Sequence, residues 1–384
     1  MSDVHVVVPT GIDDPARVSG GNRYDRKVCD GLRKTGWTVA EIAAPGCWPE
    51  PDTRALRALA RSLDALPDGA LVLLDGLIAS AAGAVIVPRS ERLRLVVLVH
   101  MVFGGTAVAD RDELAVLAAA RAVVTTSGWA RGHLLDRYPL VPGRVHVARP
   151  GTDPAPAGPR STDGRRLLCV GALAPHKGQD LLLEALAGLA GLPWSCTLIG
   201  PLDRDPPFVA SLQSRAVAAR ITDRLRILAP RTGAALQSEY RSADVLVVPS
   251  RAETYGMVVT EALAAGMPVI ATRAGGLPEA LGSTVWGLPG LLVPANDHQA
   301  LAAALVRWLT DEGLRRSLRR AALRRRRALP DWRTTCDRVA AVLAAVRDEP
   351  DQPTARCHQG AREGAQSGES GGRCGPWLIG PIRC

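Results

Sequence analysis

The richest chemistry lies in RAETYGMVVTEALAAGMPVIAT, residues 251–272. Two glutamates, Glu253 and Glu261, stand eight positions apart with Gly256 between them. The run before them, DVLVVPS, has the short apolar character of a buried strand, and a helix is expected to open near Gly256. Glu253 then lies just ahead of the helix. Glu261 lies about two turns in, roughly 12 Å away if the intervening residues are helical. Between the carboxylates fall the free backbone N–H groups of Tyr255 to Val258 and the positive end of the helix dipole. This is an anion site with a hydrogen-bond acceptor on either side. A nucleoside diphosphate sugar has that order of groups: ribose hydroxyls, pyrophosphate, sugar hydroxyls. One carboxylate would hold the ribose and the other the sugar. Glutamates near helix starts also stabilise helices by about 0.3–1 kcal/mol each, so the whole string carries more weight than either residue.

Other residues suit the same chemistry. Lys177 in LLCVGALAPHKGQDLLLEAL follows a strand and a proline turn and precedes a helix, where a lysine meets a diphosphate as a point charge. Lysine occurs at only three of the 47 basic positions, 27, 34 and 177, which favours a specific role for this one. Gly20 and Gly21 in SGGNRYDR open the first helix and let its backbone approach a phosphate or sugar. They do not form a G-x-G-x-x-G fingerprint, so dinucleotide binding is not indicated. His100 ends the run LRLVVLVH, at the carboxyl edge of a strand.

The elements that must position these residues alternate. Strand-like runs at 4–9, 38–43, 70–75, 93–100, 122–127 and 145–151 are separated by helical patterns. A Pro/Gly-rich stretch at 150–166 follows, and the alternation restarts at 166–173, 195–200, 225–228, 244–250, 268–272 and 290–294. Short, nearly continuous apolar runs are expected of strands covered on both faces. The pattern predicts two doubly wound α/β domains facing across a cleft, with ligands at the carboxyl ends of the strands. Domain limits are expected at 1–152 and 166–330, joined by a linker at 153–165. A helix at 331–348 and a disordered tail at 349–384 follow. The tail is low in aliphatic residues and holds Cys357, His358, Cys374 and Cys384 without metal-site spacing.

Composition narrows the function. With 47% hydrophobic and 22% charged residues the chain reads as globular. Part of the net charge of +9 sits in LRRSLRRAALRRRRALP, 314–330, whose leucines and alanines recur at helical spacing. The arginines are expected on the opposite, solvated face, where residues 314–327 also offer weak attraction to an anionic membrane surface. Nothing resembles a nucleic-acid reader. No C-x-x-C pair, secretory leader or membrane span is evident, which suggests the reducing cytoplasm. No D-x-D-like metal motif stands out.

The string 251–272 resembles the glutamate-x7-glutamate motif of the retaining glycosyltransferases of family 4, which have the GT-B fold. Four further segments are similar in the same order: VVTTSGWARGHLLDRY with RVHVARPGTDP (123–154), the Lys177 segment (167–186), AGGLPEAL (274–281) and GLLVPANDHQALAAAL (290–305). The resemblance covers about residues 1 to 345. It implies a two-domain GT-B enzyme moving a sugar from a nucleoside diphosphate sugar to an acceptor hydroxyl with retention, as in glycan or glycolipid synthesis. Glu261 would hold the ribose. Lys177 and the backbone of Gly256, Met257 and Val258 would hold the pyrophosphate. Glu253 and His100 would serve the transferring sugar, with Gly20 and Gly21 over the donor and acceptor. Neither metal nor cofactor is implied. Many relatives have arginine where this chain has Ala172, and Arg204, Arg231 and His176 are the candidates to replace it. The alternatives are a nucleotide-sugar epimerase or hydrolase of the same fold, and a degenerate homologue acting as a binding subunit.

Overall fold

The computed structural model describes residues 2–15, 17–101, 107–158, 161–285 and 287–350. The tail cysteines and His358 lie outside these residues. Twelve strands form two six-stranded parallel sheets. The first contains β1 (Ser2–Pro9), β2 (Trp37–Ala44), β3 (Leu71–Asp75), β4 (Arg94–Val99), β5 (Ala122–Thr125) and β6 (Val145–Val147), in the order β2-β1-β3-β4-β5-β6. The second contains β7 (Arg166–Val170), β8 (Ser195–Ile199), β9 (Leu225–Leu228), β10 (Val245–Val248), β11 (Val269–Thr272) and β12 (Gly290–Val293), in the order β12-β11-β10-β7-β8-β9.

The apolar runs explain the layering. In β3, β5, β10 and β11 every residue is buried, because helices cover both faces of each sheet. Each sheet separates two aliphatic cores. One side of the first holds Val7, Leu74 and Val97, and the other Val4, Leu73 and Leu98. Leu167, Val245 and Ile270 lie on one side of the second, Leu168, Leu246 and Ala271 on the other. Strand order reverses between β1 and β3 in the first sheet and between β7 and β10 in the second. Loops leaving a reversal splay apart and open a crevice at the carboxyl ends of the strands. The crevices of both sheets face one cleft.

The closing helix, Trp332–Asp348, joins the first core: Val339, Leu343 and Val346 pack with Val28 and Leu32 of the helix Gly20–Lys34. The approach is close because residue 31 is glycine. A Cβ there would lie 2.1 Å from Cys336 Sγ.

The arginine-rich helix, Glu312–Arg325, departs from the sequence expectation. Arg315 is buried, and its guanidinium donates to the carbonyls of Thr162, Trp308 and Leu309 at 2.8–3.1 Å. Arg319 donates to the Ser161 carbonyl. Arginine has five donors, so it can staple an extended segment that has no ladder of its own. Arg316, Arg320, Arg324 and Arg327 are exposed. Among the described residues no helix is long and apolar enough to cross a membrane.

Candidate functional site

Glu253 and Lys177 come from the two loops that leave the β7/β10 reversal. Arg251 locks these loops together. Its guanidinium grips Asp180 at 2.7 and 2.8 Å, and its backbone N–H donates to the His176 carbonyl at 2.8 Å. Lys177 Nζ and Glu253 Oε2 are then 2.5 Å apart. Gln179, wholly buried, donates to the Ala172 carbonyl at 2.9 Å and fixes the turn between them.

The helix behind Glu253 runs from Met257 to Ala264. Because it starts only at Met257, the two glutamates are not related by helical rise alone. Its cap, Gly256, has φ +95° and supplies no side-chain hydrogen bond, so the amides of the first turn remain available. Glu261, 11% exposed, accepts from the Tyr240 hydroxyl at 2.8 Å and pairs with Arg23. Arg23 belongs to the first helix and also reaches Asp153 at 2.8 Å. The carboxylates of Glu253 and Glu261 are therefore each neutralised by a cation of this chain, and the Arg23 contact crosses the cleft.

The glycine pair Gly275–Gly276 makes room for this loop. Gly276 N–H donates to the Glu253 carbonyl at 2.8 Å. A Cβ at Gly275 would lie 1.8 Å from that oxygen, at a φ of +54°. Gly275→Ala should therefore displace Glu253. Backbone strain alone costs about 1–3 kcal/mol at such a φ, and the clash adds to it. Gly36, at φ +91° with nothing within 4 Å of its Cβ position, is the control. Thermal melts should show Gly275→Ala less stable than Gly36→Ala. Equal melting temperatures would contradict the clash.

The opposite wall carries Gly20, Gly21 and His100. Ser19 caps the first helix, accepting from Asn22 N–H at 3.0 Å. Gly20 faces Met257 of the other domain and Gly21 faces the His100 ring; built Cβ atoms would lie 3.6 and 3.4 Å away. Ser127 Oγ donates to the Thr254 carbonyl at 2.5 Å, and Thr254 Oγ1 donates to the His100 carbonyl. Glu279 accepts from the N–H groups of Gly128 and Trp129 at 3.0 and 3.1 Å, a carboxylate on a helix N-terminus across the domain boundary. The domains are thus held closed around a cleft of about 480 Å³.

Two acids beneath His100 escaped the sequence reading. Asp25 Oδ1 lies 2.5 Å and Asp75 Oδ2 3.7 Å from His100 Nε2, and both acids are buried, at 1% and 3% exposure. Asp75 also caps a short helix, accepting from Leu77 N–H at 2.6 Å. Burial pushes the Asp25 carboxyl up to about 7 and, with the neighbouring Asp25, raises Asp75 further. Burial also lowers the His100 imidazole, which favours its neutral form. Folded Asp25 holds its proton more tightly than the unfolded chain does. Its contribution is therefore fully present below the ordinary carboxyl range and lost as pH rises through about 7. The melting temperature should fall between pH 5 and pH 8, and Asp25→Asn should flatten that fall. An unchanged slope in the variant would assign the loss elsewhere.

These three residues are the one set among those described that brings three ligand-type atoms within 4.8 Å. The D-x-D reading needs correction as well, since Asp110-Arg111-Asp112 and Asp203-Arg204-Asp205 have that form. Asp205 caps the helix Pro206–Ala218, accepting from Phe208 N–H at 3.0 Å. Of the candidates to stand in for an arginine at Ala172, Arg231 is paired with Glu239 at 2.5 Å. His176 is pushed down to about 3 by burial and by the charges of Lys177 and Arg204.

Residues 155–325 match the glycosyl transferases group 1 family. A D-inositol 3-phosphate glycosyltransferase of Salinispora tropica is 36% identical over 261 residues, 62% of this chain and 53% of the relative. Its counterpart in Saccharomonospora viridis is 35% identical over 258 residues, 62% and 59% of the two chains. The chain spans little more than half the length of these relatives. Sucrose-phosphate synthase of Thermosynechococcus elongatus superposes with a TM-score of 0.75 at 22% identity, over 90% of this chain and 99% of that one. HepE of Anabaena, solved with UDP-glucose, gives 0.73 at 17% identity over 90% and 100%. The two facing parallel sheets are thus the GT-B fold, and the second of them lies within the stretch that matches the glycosyl transferases group 1 family.

Proposed function

We propose that the protein moves a sugar from a nucleoside diphosphate sugar to an acceptor hydroxyl, with retention of configuration. One observation carries this reading: uncapped amides at the start of Met257–Ala264 stand between Glu253 and Glu261, with Lys177 beside them. Glu261 takes the ribose. Lys177 and the backbone of Gly256, Met257 and Val258 take the diphosphate. Glu253 takes the transferring sugar, with neutral His100 as a hydrogen-bond partner to sugar or acceptor. Gly20 and Gly21 bring the first helix close on the other side.

The chain's own ion pairs are exchanged when donor binds. Arg23 leaves Glu261 to the ribose, and Lys177 turns from Glu253 to the phosphates. Charge growing on the leaving diphosphate meets the helix end and Lys177, so the reaction needs neither metal nor cofactor. The same leaving phosphate accepts the proton of the acceptor hydroxyl on the face it departs from. Closure of the cleft keeps water from the donor. In this reading the enzyme is cytoplasmic, and Arg316, Arg320, Arg324 and Arg327 give it weak attraction to an anionic membrane surface. Relatives carry D-inositol 3-phosphate in their names, which makes it the first acceptor to supply.

The test is turnover of UDP-, GDP-, ADP- and dTDP-sugars with and without that acceptor, in excess EDTA, with the product anomer read by NMR. One donor should be consumed only when acceptor is present, with its configuration kept. Consumption at the same rate without acceptor, an inverted product, or loss of activity in EDTA that Mn²⁺ restores would each contradict a part of this reading.

A further inference from the structure

We propose that Arg204 is a second cation of the diphosphate site, reaching the phosphates from the loop after β8 as Lys177 does from the loop after β7. The assignment rests on the donor reading above. The two loops lie against each other. Gly171 N–H donates to the Ile199 carbonyl at 2.9 Å, and Leu173 N–H to the Pro201 carbonyl at 3.4 Å. Residue 200 is glycine because a Cβ there would sit 1.9 Å from the Gly171 oxygen. Arg204 follows four residues later and lines the same cleft as Ala172, His176 and Lys177.

Among the described residues no carboxylate is in contact with the Arg204 guanidinium, in contrast to the cleft's paired cations. Arg23, Lys177 and Arg231 each pair with a glutamate. Arg204 is partly buried and, among the described residues, makes no hydrogen bond or ion pair. Asp205 is engaged as a helix cap, and Asp203 is exposed. Burial disfavours its charge most, the exposed Asp203 offsets part of that, and Arg17 on the opposite wall repels it. A partly buried guanidinium with no hydrogen-bonded partner gains when an anion arrives. Its planar fork suits two phosphate oxygens at once. Ala172 next door adds no charge of its own, so Arg204 and Lys177 together match the charge of a diphosphate.

Calorimetric titration with UDP, GDP, ADP and dTDP, and with the matching monophosphates, tests this on the wild type and on Arg204→Ala, Arg204→Lys, Lys177→Ala and Glu261→Ala. Arg204→Ala should keep the wild-type melting temperature and weaken the preferred diphosphate by about 10- to 100-fold. The monophosphate should lose less, and Arg204→Lys should recover part of the affinity. Diphosphate binding within twofold of wild type in Arg204→Ala, while Lys177→Ala and Glu261→Ala lose it, would overturn the assignment and leave the donor site standing. A wild type that binds none of the four diphosphates would overturn the donor reading and the assignment with it.

Discussion

Replacing Glu253 by alanine should lower turnover by about 10²–10³-fold, the scale on which one preorganised contact to developing charge acts. Nucleotide binding should not fall with it. In the free protein Glu253 neutralises Lys177 at 2.5 Å. Removing the carboxylate leaves that lysine available to the diphosphate, so nucleoside diphosphate affinity should hold or rise slightly. Steady-state kinetics beside titration with the bare nucleotide separate the two effects. Loss of affinity equal to the loss of turnover would end the division of labour between the two glutamates.

Replacing Glu261 by alanine should do the reverse. A carboxylate receiving ribose hydroxyls makes charge-assisted hydrogen bonds of about 1.5–3 kcal/mol each. Its loss should weaken the preferred nucleotide by about 10²-fold, with a smaller effect on turnover at saturating donor. The variant also removes the contacts that Arg23 and the Tyr240 hydroxyl now make with Glu261. The domains should therefore close less firmly. Small-angle scattering of the free variant should show a larger radius of gyration than the wild type. An unchanged radius would mean that the Ser127, Thr254 and Glu279 contacts suffice to hold the cleft.

The parts of this architecture that could be read from sequence are those governed by neighbours in the chain. Each of the twelve strands overlaps one of the apolar runs, β1 and β2 extending past theirs, because strands covered on both faces have no polar side to interrupt them. Glu253, Gly256 and Glu261 sit on one loop and one helix, so their spacing marks the site, although the loop before Met257 departs from helical rise. Lys177 was legible as a rare lysine at a turn. Arg23 was not, because its partner Glu261 lies 238 residues away and only the facing of two domains joins them. Asp25 and Asp75 hid in a helix and at the end of an apolar run, where each looks like an ordinary polar interruption. They meet under His100 only once β1, β3 and β4 are ordered by the sheet. Arg315 was placed in solvent by residue type, and only the path of the segment at 161–164 gives it carbonyls to bind. The pair Gly275–Gly276 could be seen but not explained until the Glu253 carbonyl was found against it.

The claim beneath all of this is that ribose replaces Arg23 on Glu261 while the diphosphate lies on the amides of Met257 and Val258. A crystal structure of the protein with its preferred nucleoside diphosphate tests it most directly. Ribose hydroxyls on Glu261, phosphate oxygens at the start of Met257–Ala264 beside Lys177, and Arg23 turned away from Glu261 are the predicted result. A nucleotide bound elsewhere, with the Arg23–Glu261 pair intact, would contradict it.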